Sequence, residues 1–301
     1  MGRIGFMSVL VTIGILGSGC RAAPPQRSGD ADLYKLHEDV VYVEREESDP
    51  AKTSLDVYVP ADVEADAPVL IYVHGGGWSI GDKSRVGYKA RWAVKHGWVF
   101  VSVNYRLSPE VMHPEHARDV SSAIDFVLDH AQEYSIDPDR VALMGHSAGA
   151  HLVAIVCSDE SLLGEHDRSA GEIDALVLLD GAGYNLNEVM PDLPRFGPLQ
   201  KMYRSAFGED DPELWERASP SLQADEDDDL PATLAVYAGD REESRHASIE
   251  LVGTWSAAGC DARVFHAPYK DHARINRELG KAHDEDSEIV GDFIEEMFDQ
   301  E

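Results

Sequence analysis

The chain has 301 residues, of which 43% are hydrophobic, and its 56 acidic residues outnumber 26 lysines and arginines to give a formal net charge of −30. This length suits one large domain with a central sheet, and the ordinary glycine and proline contents exclude a fibrous or low-complexity chain. The strong negative charge argues against binding of nucleic acid or of an anionic membrane through the protein surface.

Residues 1–20 have the pattern of an export signal. Arg3 supplies a positive charge, and residues 4–19 form an uncharged, mostly apolar run that ends in small residues before Cys20. The run is glycine-rich and shorter than the ~20 residues that a membrane-spanning helix requires. A secretory signal is therefore favoured. We expect a signal peptide over residues 1–20, a linker over residues 21–37 and a folded domain over residues 38–301.

The end of this segment suggests a lipid anchor. Residues 16–20 read LGSGC and resemble a bacterial lipobox, in which the cysteine becomes the lipid-bearing first residue, although Gly17 stands where leucine is usual. The resemblance implies a membrane-anchored lipoprotein, and plain secretion or a periplasmic location is the alternative. Contact with a membrane is expected only through a lipid on Cys20.

Apolar runs predict the strands and helices that follow. Residues 40–43 and 54–59 read as an antiparallel opening pair of strands. Residues 68–73 form a continuous apolar run, which is typical of a strand that is buried on both faces. Further strands are predicted at 98–103, 140–144, 173–179, 233–237 and 262–266, and helices at 83–96, 114–134, 148–156, 244–258 and 284–298.

The alternation of strands with helices defines the fold class. It predicts an α/β protein with a mostly parallel, doubly wound sheet that is flanked by helices. Residues 181–229 lack a clear strand and contain several prolines and aromatic residues, so they predict a small helical insertion. Such an insertion would cover the carboxyl ends of the strands, where open parallel sheets bind substrates. It is either a specificity element or a purely structural excursion.

The candidate nucleophile lies in residues 145–149, which read GHSAG. A Gly-x-Ser-x-Gly pattern alone is a weak signal, but this one joins a predicted strand to an alanine-rich helix. A sharp strand-to-helix turn would force Ser147 into strained geometry, and Gly145 and Gly149 would relieve the crowding. The start of a helix also favours negative charge. Ser147 is therefore predicted to be an exposed nucleophile.

A glycine cluster precedes this turn in the chain. Residues 74–78 read HGGGW and follow the apolar strand 68–73 directly. Attack by a serine on a carbonyl creates an oxyanion, which requires hydrogen-bond donors that are already in place. Consecutive glycines let backbone N–H groups approach closely. We expect an oxyanion hole from the amides of Gly76, Gly77 and Ala148, and a flexible glycine turn is the alternative.

With these segments the chain resembles the esterase/lipase branch of the α/β-hydrolases from residue 40 onward. Within that branch it is most similar to small carboxylesterases related to feruloyl esterases and to kynurenine formamidase, including BD-FAE-like proteins. The resemblance implies the α/β-hydrolase fold and cofactor-free hydrolysis of an ester, or less often an amide, through an acyl-serine. The matching segments are HGGGW at 74–78, NYRL at 104–107, GHSAGAHL at 145–152 and Asp271-His272.

The order of parts in these enzymes places the histidine after the last strand. His272 follows the predicted strand 262–266 in a loop at the carboxyl edge of the sheet, where it can act as general base and then as general acid. His283 is less well placed because it lies further along in a polar stretch. His146 and His151 are expected to point away from the pocket and to be structural.

The acid of the triad has several candidates. Asp240 directly follows the predicted strand 233–237 and is favoured, because a carboxylate there could hold the imidazole tautomer. The segment looks shortened relative to similar esterases, so the register could shift to Glu242 or Glu243. Asp180, at the end of the preceding strand, is a different candidate, and chain order permits both positions.

The remaining patterns define the expected ligands. The sequence has no His-Glu-x-x-His segment, no cysteine pair at zinc spacing and no Gly-x-Gly-x-x-Gly after a strand, so neither a metal nor a nucleotide cofactor is predicted. Cys157 and Cys260 are interpreted as buried thiols, and a disulfide between them is the alternative. The predicted partner is a small-molecule ester substrate. An arylformamidase-like amidase, a carbohydrate acetyl or feruloyl esterase, and a non-catalytic binding protein of the same fold are the competing hypotheses.

Overall fold

The computed structural model describes residues 32–46, 48–63, 66–194, 196–224 and 229–300. The predicted signal peptide, Cys20 and most of the predicted linker lie outside these residues, so their assignments stay predictions. Among the helices that the structure describes, none is both long enough and apolar enough to span a bilayer.

The strands of the described residues form one sheet. They are β1 Tyr34–Val41, β2 Ser54–Pro60, β3 Ala67–Val73, β4 Val99–Val103, β5 Ile136–His146, β6 Ala175–Leu179, β7 Ala232–Ala238 and β8 Ala262–Ala267. Their order across the sheet is β1-β2-β4-β3-β5-β6-β7-β8. Only β2 pairs antiparallel, with β1 and with β4, and the other pairs are parallel. The predicted mostly parallel, doubly wound sheet is therefore confirmed.

Helices connect the strands and cover both faces of the sheet. Two short 3₁₀ helices, Pro50–Thr53 and Ala170–Glu172, accompany them in the described part of the chain. The α-helices are α1 Lys89–Lys95, α2 Glu115–Asp129, α3 Ala131–Tyr134, α4 Ala148–Ser158, α5 Glu160–Gly164, α6 Leu186–Asp192, α7 Pro198–Phe207, α8 Pro212–Arg217, α9 Pro220–Gln223, α10 Glu242–Ala257, α11 His272–Glu278 and α12 Glu285–Phe298.

The sheet divides the hydrophobic core into two layers. In β3, Ile71 packs into the layer that α2, α4 and α10 cover, whereas Leu70 packs into the layer that α1, α11 and α12 cover. Successive side chains of a strand point to opposite faces, so a strand between two apolar layers has to be apolar throughout. This requirement explains the unbroken apolar run that predicted β3.

Two predicted boundaries are corrected by the structure. β1 begins at Tyr34, which pairs with Pro60, so the end of the predicted linker belongs to the sheet. This edge strand is polar and partly exposed, and the apolar pattern therefore marks only its end. The predicted helix 83–96 is confined to α1, because the buried Lys83 is fixed by ion pairs with Asp39 and Asp56 and by a 2.7 Å bond from its amide to Asn104 Oδ1.

The predicted insertion is helical. Helices α6 to α9 lie between β6 and β7 in the chain. Helix α7 packs with Tyr203 and Phe207 against Trp78, at ring-centroid distances of 5.2 and 4.8 Å. The insertion is thereby fixed to the segment that follows β3.

Candidate active site

Ser147 lies in a strained turn between β5 and α4. Its φ and ψ are 55° and −119°, and its amide donates to Leu179 O of β6 at 2.9 Å. Side chains at the two flanking glycines would collide with backbone, because an added Cβ would overlap Gly149 O at Gly145 and Val73 O at Gly149. This crowding explains why both positions are glycine, as the sequence predicted. The turn leaves the Ser147 side chain partly exposed.

The glycine segment after β3 packs against this turn. A Cβ added to Gly75 would lie 3.0 Å from Ser147 Cβ, so the two segments touch. Gly76 and Gly77 have φ values of 128° and 58°, and Ala148 is the first residue of α4. Within the described chain, the amides of Gly76, Gly77 and Ala148 donate no backbone hydrogen bond to another loop or turn. They are available to a ligand beside Ser147.

Residues 74–78, which we call the glycine loop, are held in place by contacts with the segment 104–107. The His74 ring stacks on Tyr105 at a centroid distance of 4.6 Å, and Tyr105 Oη donates to His74 O at 3.1 Å. Burial lowers the pKa of His74 to about 4, so the ring is neutral at pH 7. Arg106 makes a buried, bidentate ion pair with Asp119. In the NYRL segment, Tyr105 thus supports the glycine loop, and Arg106 ties the segment to α2.

The carboxylate that faces His272 is Asp180. Its Oδ2 atom lies 2.6 Å from His272 Nδ1, and its Oδ1 atom accepts from the amide of Ala238 at 3.1 Å. The Asp180 side chain is fully buried. Burial opposes its charge, but the hydrogen bond to His272 and the charge of Arg241 outweigh burial and hold the pKa of Asp180 well below its usual value. Asp180 is therefore ionised at neutral pH.

The favoured prediction of Asp240 as the partner of His272 is corrected by this geometry. Asp240 is exposed on the turn after β7, and no hydrogen bond between it and His272 is present in the described residues. Glu242 and Glu243, which a shifted register would place beside the histidine, are exposed in the first turn of α10. Asp180, the second candidate from the sequence, occupies the position.

The order of strands explains why Asp180 is the partner. Its strand, β6, lies between β5 and β7, so the end of β6 is next to the Ser147 turn. The amide of Asp180 also bonds to Val236 O of β7 at 2.6 Å, which turns the residue inward with φ of 46°. The turn after β7 packs with Gly239 against Lys270 O, which an added Cβ would approach to 2.8 Å, and it leaves Asp240 exposed.

Arg241 takes the inward position on that turn. Its Nη1 atom contacts both Asp180 Oδ2 and His272 Nδ1, and its side chain is 33% exposed. This residue was not predicted from the sequence. The sequence indicates Arg241 by its place alone, since it follows a late strand at a point where a carboxylate was expected.

The backbone of His272 is held by a hydrogen bond from His146. His146 Nε2 bonds to His272 O at 2.8 Å and the two rings lie 4.6 Å apart, so the expectation that His146 points away from the site is wrong. Asp271 caps α11 by accepting from the amides of Ala273 and Arg274. His151, in contrast, is buried and bonds to Ala218 O at 2.8 Å, as a structural histidine would.

A buried lysine fixes the helix that carries His272. Lys89 Nζ contacts Asn276 O of α11 and lies 4.7 Å from the centre of the Tyr72 ring. Tyr72 Oη donates to Asn276 Oδ1 at 2.8 Å. Burial lowers the pKa of Lys89 to about 7. No sequence pattern points to this role, because Lys89 is one charged residue within an otherwise ordinary helical pattern.

An open groove at the carboxyl edge of the sheet, which we call the edge groove, brings these groups together. Ser147, His272 and the glycine loop all line it. No hydrogen bond joins Ser147 Oγ to His272 in the described residues; such bonds commonly tighten only when substrate is bound. The exposed His283 lines the same groove without a polar contact to Ser147 or His272 among the described residues.

The insertion supplies apolar walls to the edge groove. A Cβ added to Gly77 would overlap Met202 Sδ, so this side chain of α7 covers the glycine loop. Ile80, Phe196 and Leu199 also line the groove and are 58%, 81% and 48% exposed. The edge groove therefore has apolar walls that can accommodate an apolar group.

One group of side chains has the composition of a metal site. Ligand atoms of Glu188, His246 and Glu250 lie within 4.8 Å of one another, and Asn185 Nδ2 donates to Glu250 at 2.6 Å. This group could not be predicted from the sequence, because α6 and α10 bring it together from distant segments. Its residues line the edge groove and are mostly exposed, and exposed acidic groups of this kind are common without a metal.

The sheet order and the strand-to-helix turn at Ser147 define an α/β-hydrolase fold. The BD-FAE family model matches residues 55–234, and the chain belongs to this family. The resemblance to the esterase/lipase branch is thereby confirmed.

Curated relatives match about half of the chain. A probable isoprenylcysteine alpha-carbonyl methylesterase of Arabidopsis thaliana is 34% identical over 164 residues, which are 53% of this chain and 33% of that protein. Esterase LipQ of Mycobacterium tuberculosis is 35% identical over 164 residues, which are 51% of this chain and 38% of that protein. The match thus spans less than half the length of either relative.

Solved structures share the whole fold. A truncated carbohydrate esterase from gut microbiota has a TM-score of 0.74 and 22% identity, covering 89% of this chain and 98% of that one. Esterase B of Lactobacillus rhamnosis has a TM-score of 0.70 and 20% identity, covering 89% and 86%. At these identities the likeness shows the fold.

Proposed function

We propose that the protein is a serine hydrolase that cleaves a carboxylic ester of small or medium size through an acyl-serine intermediate. One observation carries the proposal: a buried, ionised Asp180 holds His272 at the sheet edge where the strained Ser147 turn meets the glycine loop. Esterases among the relatives and the structural neighbours support the same reaction class.

In the first half of the reaction, His272 Nε2 takes the proton of Ser147 as Oγ attacks the ester carbonyl. Nδ1–H donates to Asp180 Oδ2, which fixes the tautomer with a free Nε2 and stabilises the imidazolium that forms. The imidazolium then gives its proton to the leaving alcohol, and an acyl-serine remains.

In the second half, water replaces the alcohol. His272 removes a proton from water, the resulting nucleophile attacks the acyl-serine, and the carboxylic acid leaves as Ser147 recovers its proton. The negative oxygen of both tetrahedral intermediates would accept from the amides of Gly76, Gly77 and Ala148. Loss of one such donor typically raises the barrier by about 2.7–4 kcal/mol.

The test is a comparison of wild type with Ser147→Ala on short p-nitrophenyl esters and with a fluorophosphonate probe. We expect the wild type to turn over esters and to be labelled, and Ser147→Ala to do neither. Ser161→Ala is the matched control, because its hydroxyl bonds to Asp159 at the exposed start of α5, which does not line the edge groove. Full activity in Ser147→Ala would refute the mechanism.

The same substrate panel separates the competing functions. Faster turnover of N-formylkynurenine would assign an arylformamidase-like amidase, and faster release of acetate from acetylated xylan or of ferulate from its sugar esters would assign a carbohydrate esterase. A folded wild type that neither turns over any ester nor reacts with the probe would favour a binding protein with this fold.

A further inference from the structure

Two donors compete for one carboxylate oxygen in the candidate site. Arg241 Nη1 contacts Asp180 Oδ2, and the same nitrogen contacts His272 Nδ1, which itself lies 2.6 Å from Asp180 Oδ2. A guanidinium only donates hydrogen bonds, whereas a neutral imidazole nitrogen either donates or accepts. Nδ1 can therefore donate to Asp180 or accept from Arg241, but it cannot do both.

The two arrangements place the imidazole proton on different nitrogens. When Nδ1–H donates to Asp180, Nε2 carries a lone pair and can accept the proton of Ser147. When Nδ1 accepts from Arg241, the proton sits on Nε2 and the ring cannot act as a base. The contact with Arg241 thus affects which nitrogen of His272 carries the proton, and the proposed reaction depends on the tautomer with the proton on Nδ1.

The charge of Arg241 also acts on protonation. A cation in contact with the ring opposes formation of imidazolium, and its ion pair with Asp180 reduces the stabilisation that this carboxylate gives. Resting on the proposed function, we infer that Arg241 is a positioning residue that keeps Asp180 ionised and limits proton uptake by His272. The esterase then keeps its base form at lower pH than it would with an unshared acid.

Other groups around the ring do not replace this effect. Burial, together with the neighbouring His272, lowers the pKa of His146 to about 3, so its ring is neutral at pH 7. The carboxylate of Asp271 is engaged by the amides at the start of α11. Among the described residues, the charged groups in hydrogen-bond contact with His272 Nδ1 are Asp180 and Arg241. Further ionisable groups of the described residues face these side chains: Tyr184 interacts with Asp180, Tyr203 with Arg241 and Glu243, and Lys89 with His146. Burial keeps the two tyrosines neutral, and the exposed Asp240 lines the same groove.

The test is the pH dependence of kcat/KM for p-nitrophenyl acetate in Arg241→Gln and Arg241→Lys. In Arg241→Gln we expect the acidic limb to move upward by about one pH unit, since removing a charge at contact distance typically shifts a titration by that order. Arg241→Lys should give a smaller shift in the same direction. Arg245→Gln is the control, because this exposed residue lies one turn along α10 and its ion pair within the described residues is with Glu242; its limb should not move.

A second measurement does not depend on turnover. Nitrogen chemical shifts of ¹⁵N-labelled imidazoles, assigned with His272→Gln, report the protonation and tautomer of His272 directly. We expect Arg241→Gln to take up the proton at higher pH than wild type. Unchanged acidic limbs and unchanged His272 shifts in both Arg241 variants would overturn the inference. Failure of the proposed function would instead appear as an inactive wild type, whatever the His272 shifts show.

Discussion

At the residue scale, the identity of the acid decides how the imidazole is held. Asp180 combines complete burial, a 2.6 Å contact with Nδ1 and a second bond from the amide of Ala238. An amide in its place would leave the shape of the site intact but would present an N–H or a neutral oxygen to Nδ1. The imidazolium of the transition state would then lose its counter-charge.

We therefore predict that Asp180→Asn lowers kcat by about 10⁴-fold, the effect of the equivalent change in the triad of a serine protease. Asp240→Asn is the matched control, because this carboxylate is exposed on the neighbouring turn, and it should keep wild-type kcat. Steady-state kinetics with p-nitrophenyl acetate measures both. A large loss in Asp240→Asn together with a small one in Asp180→Asn would restore the sequence-based assignment.

The turn at Ser147 and the position of His272 could be predicted from the sequence, whereas the carboxylate that contacts His272 could not. A strand, two glycines and a helix around Ser147 describe one turn, and every part of that signal lies within a few residues. The position of Asp180 depends instead on β6 lying between β5 and β7 and on how the turn at Gly239 packs against Lys270. Those are relations between distant segments, and chain order alone permits either carboxylate.

At the scale of elements, the same distinction separates the correct from the incorrect boundaries. Apolar strands in the middle of the sheet were predicted well, because burial on both faces requires unbroken apolar runs. β1 is an edge strand and Lys83 is held by two carboxylates, so pairing and charge, rather than hydrophobic pattern, set those boundaries. The insertion was predicted as helical, but its packing over the glycine loop was not visible.

Helix α7 is the element that we expect to limit substrate size. Met202 reaches from it over Gly77, beside the amides that would bind the oxyanion. We predict that Met202→Ala shifts the preference from acetate toward butyrate and hexanoate esters. Each extra methylene that becomes buried should raise relative kcat/KM by about fourfold, which corresponds to about 0.8 kcal/mol.

The measurement is kcat/KM across a series of p-nitrophenyl esters of increasing acyl length. Glu216→Ala is the control, because this exposed residue of α8 belongs to the same insertion but does not line the edge groove, and it should leave the profile unaltered. An unchanged chain-length profile in Met202→Ala would mean that the acyl group lies elsewhere in the edge groove.

At the scale of the whole molecule, charge is the dominant feature. With 56 acidic residues against 26 lysines and arginines, many carboxylates have no basic partner, and the compact state concentrates their repulsion. Several arginines serve more than one carboxylate, as Arg168 does with Asp125, Asp129 and Glu172. Such exposed pairs contribute little individually. Repulsion should therefore outweigh attraction over the surface.

Added salt should consequently stabilise the fold. Between about 0.05 M and about 0.5 M NaCl the Debye length falls from about 14 Å to about 4 Å, which screens repulsion between separated surface carboxylates more than it screens contact pairs. We predict that the urea midpoint at pH 7 rises over this range while the m-value stays constant, since the surface exposed on unfolding does not change. The same titration at a pH near the sequence pI of 4.6 should give a smaller rise, because the net charge is then close to zero. A midpoint that falls with salt at pH 7 would show that the arginine–carboxylate pairs, rather than the excess of carboxylates, govern the electrostatic part of stability.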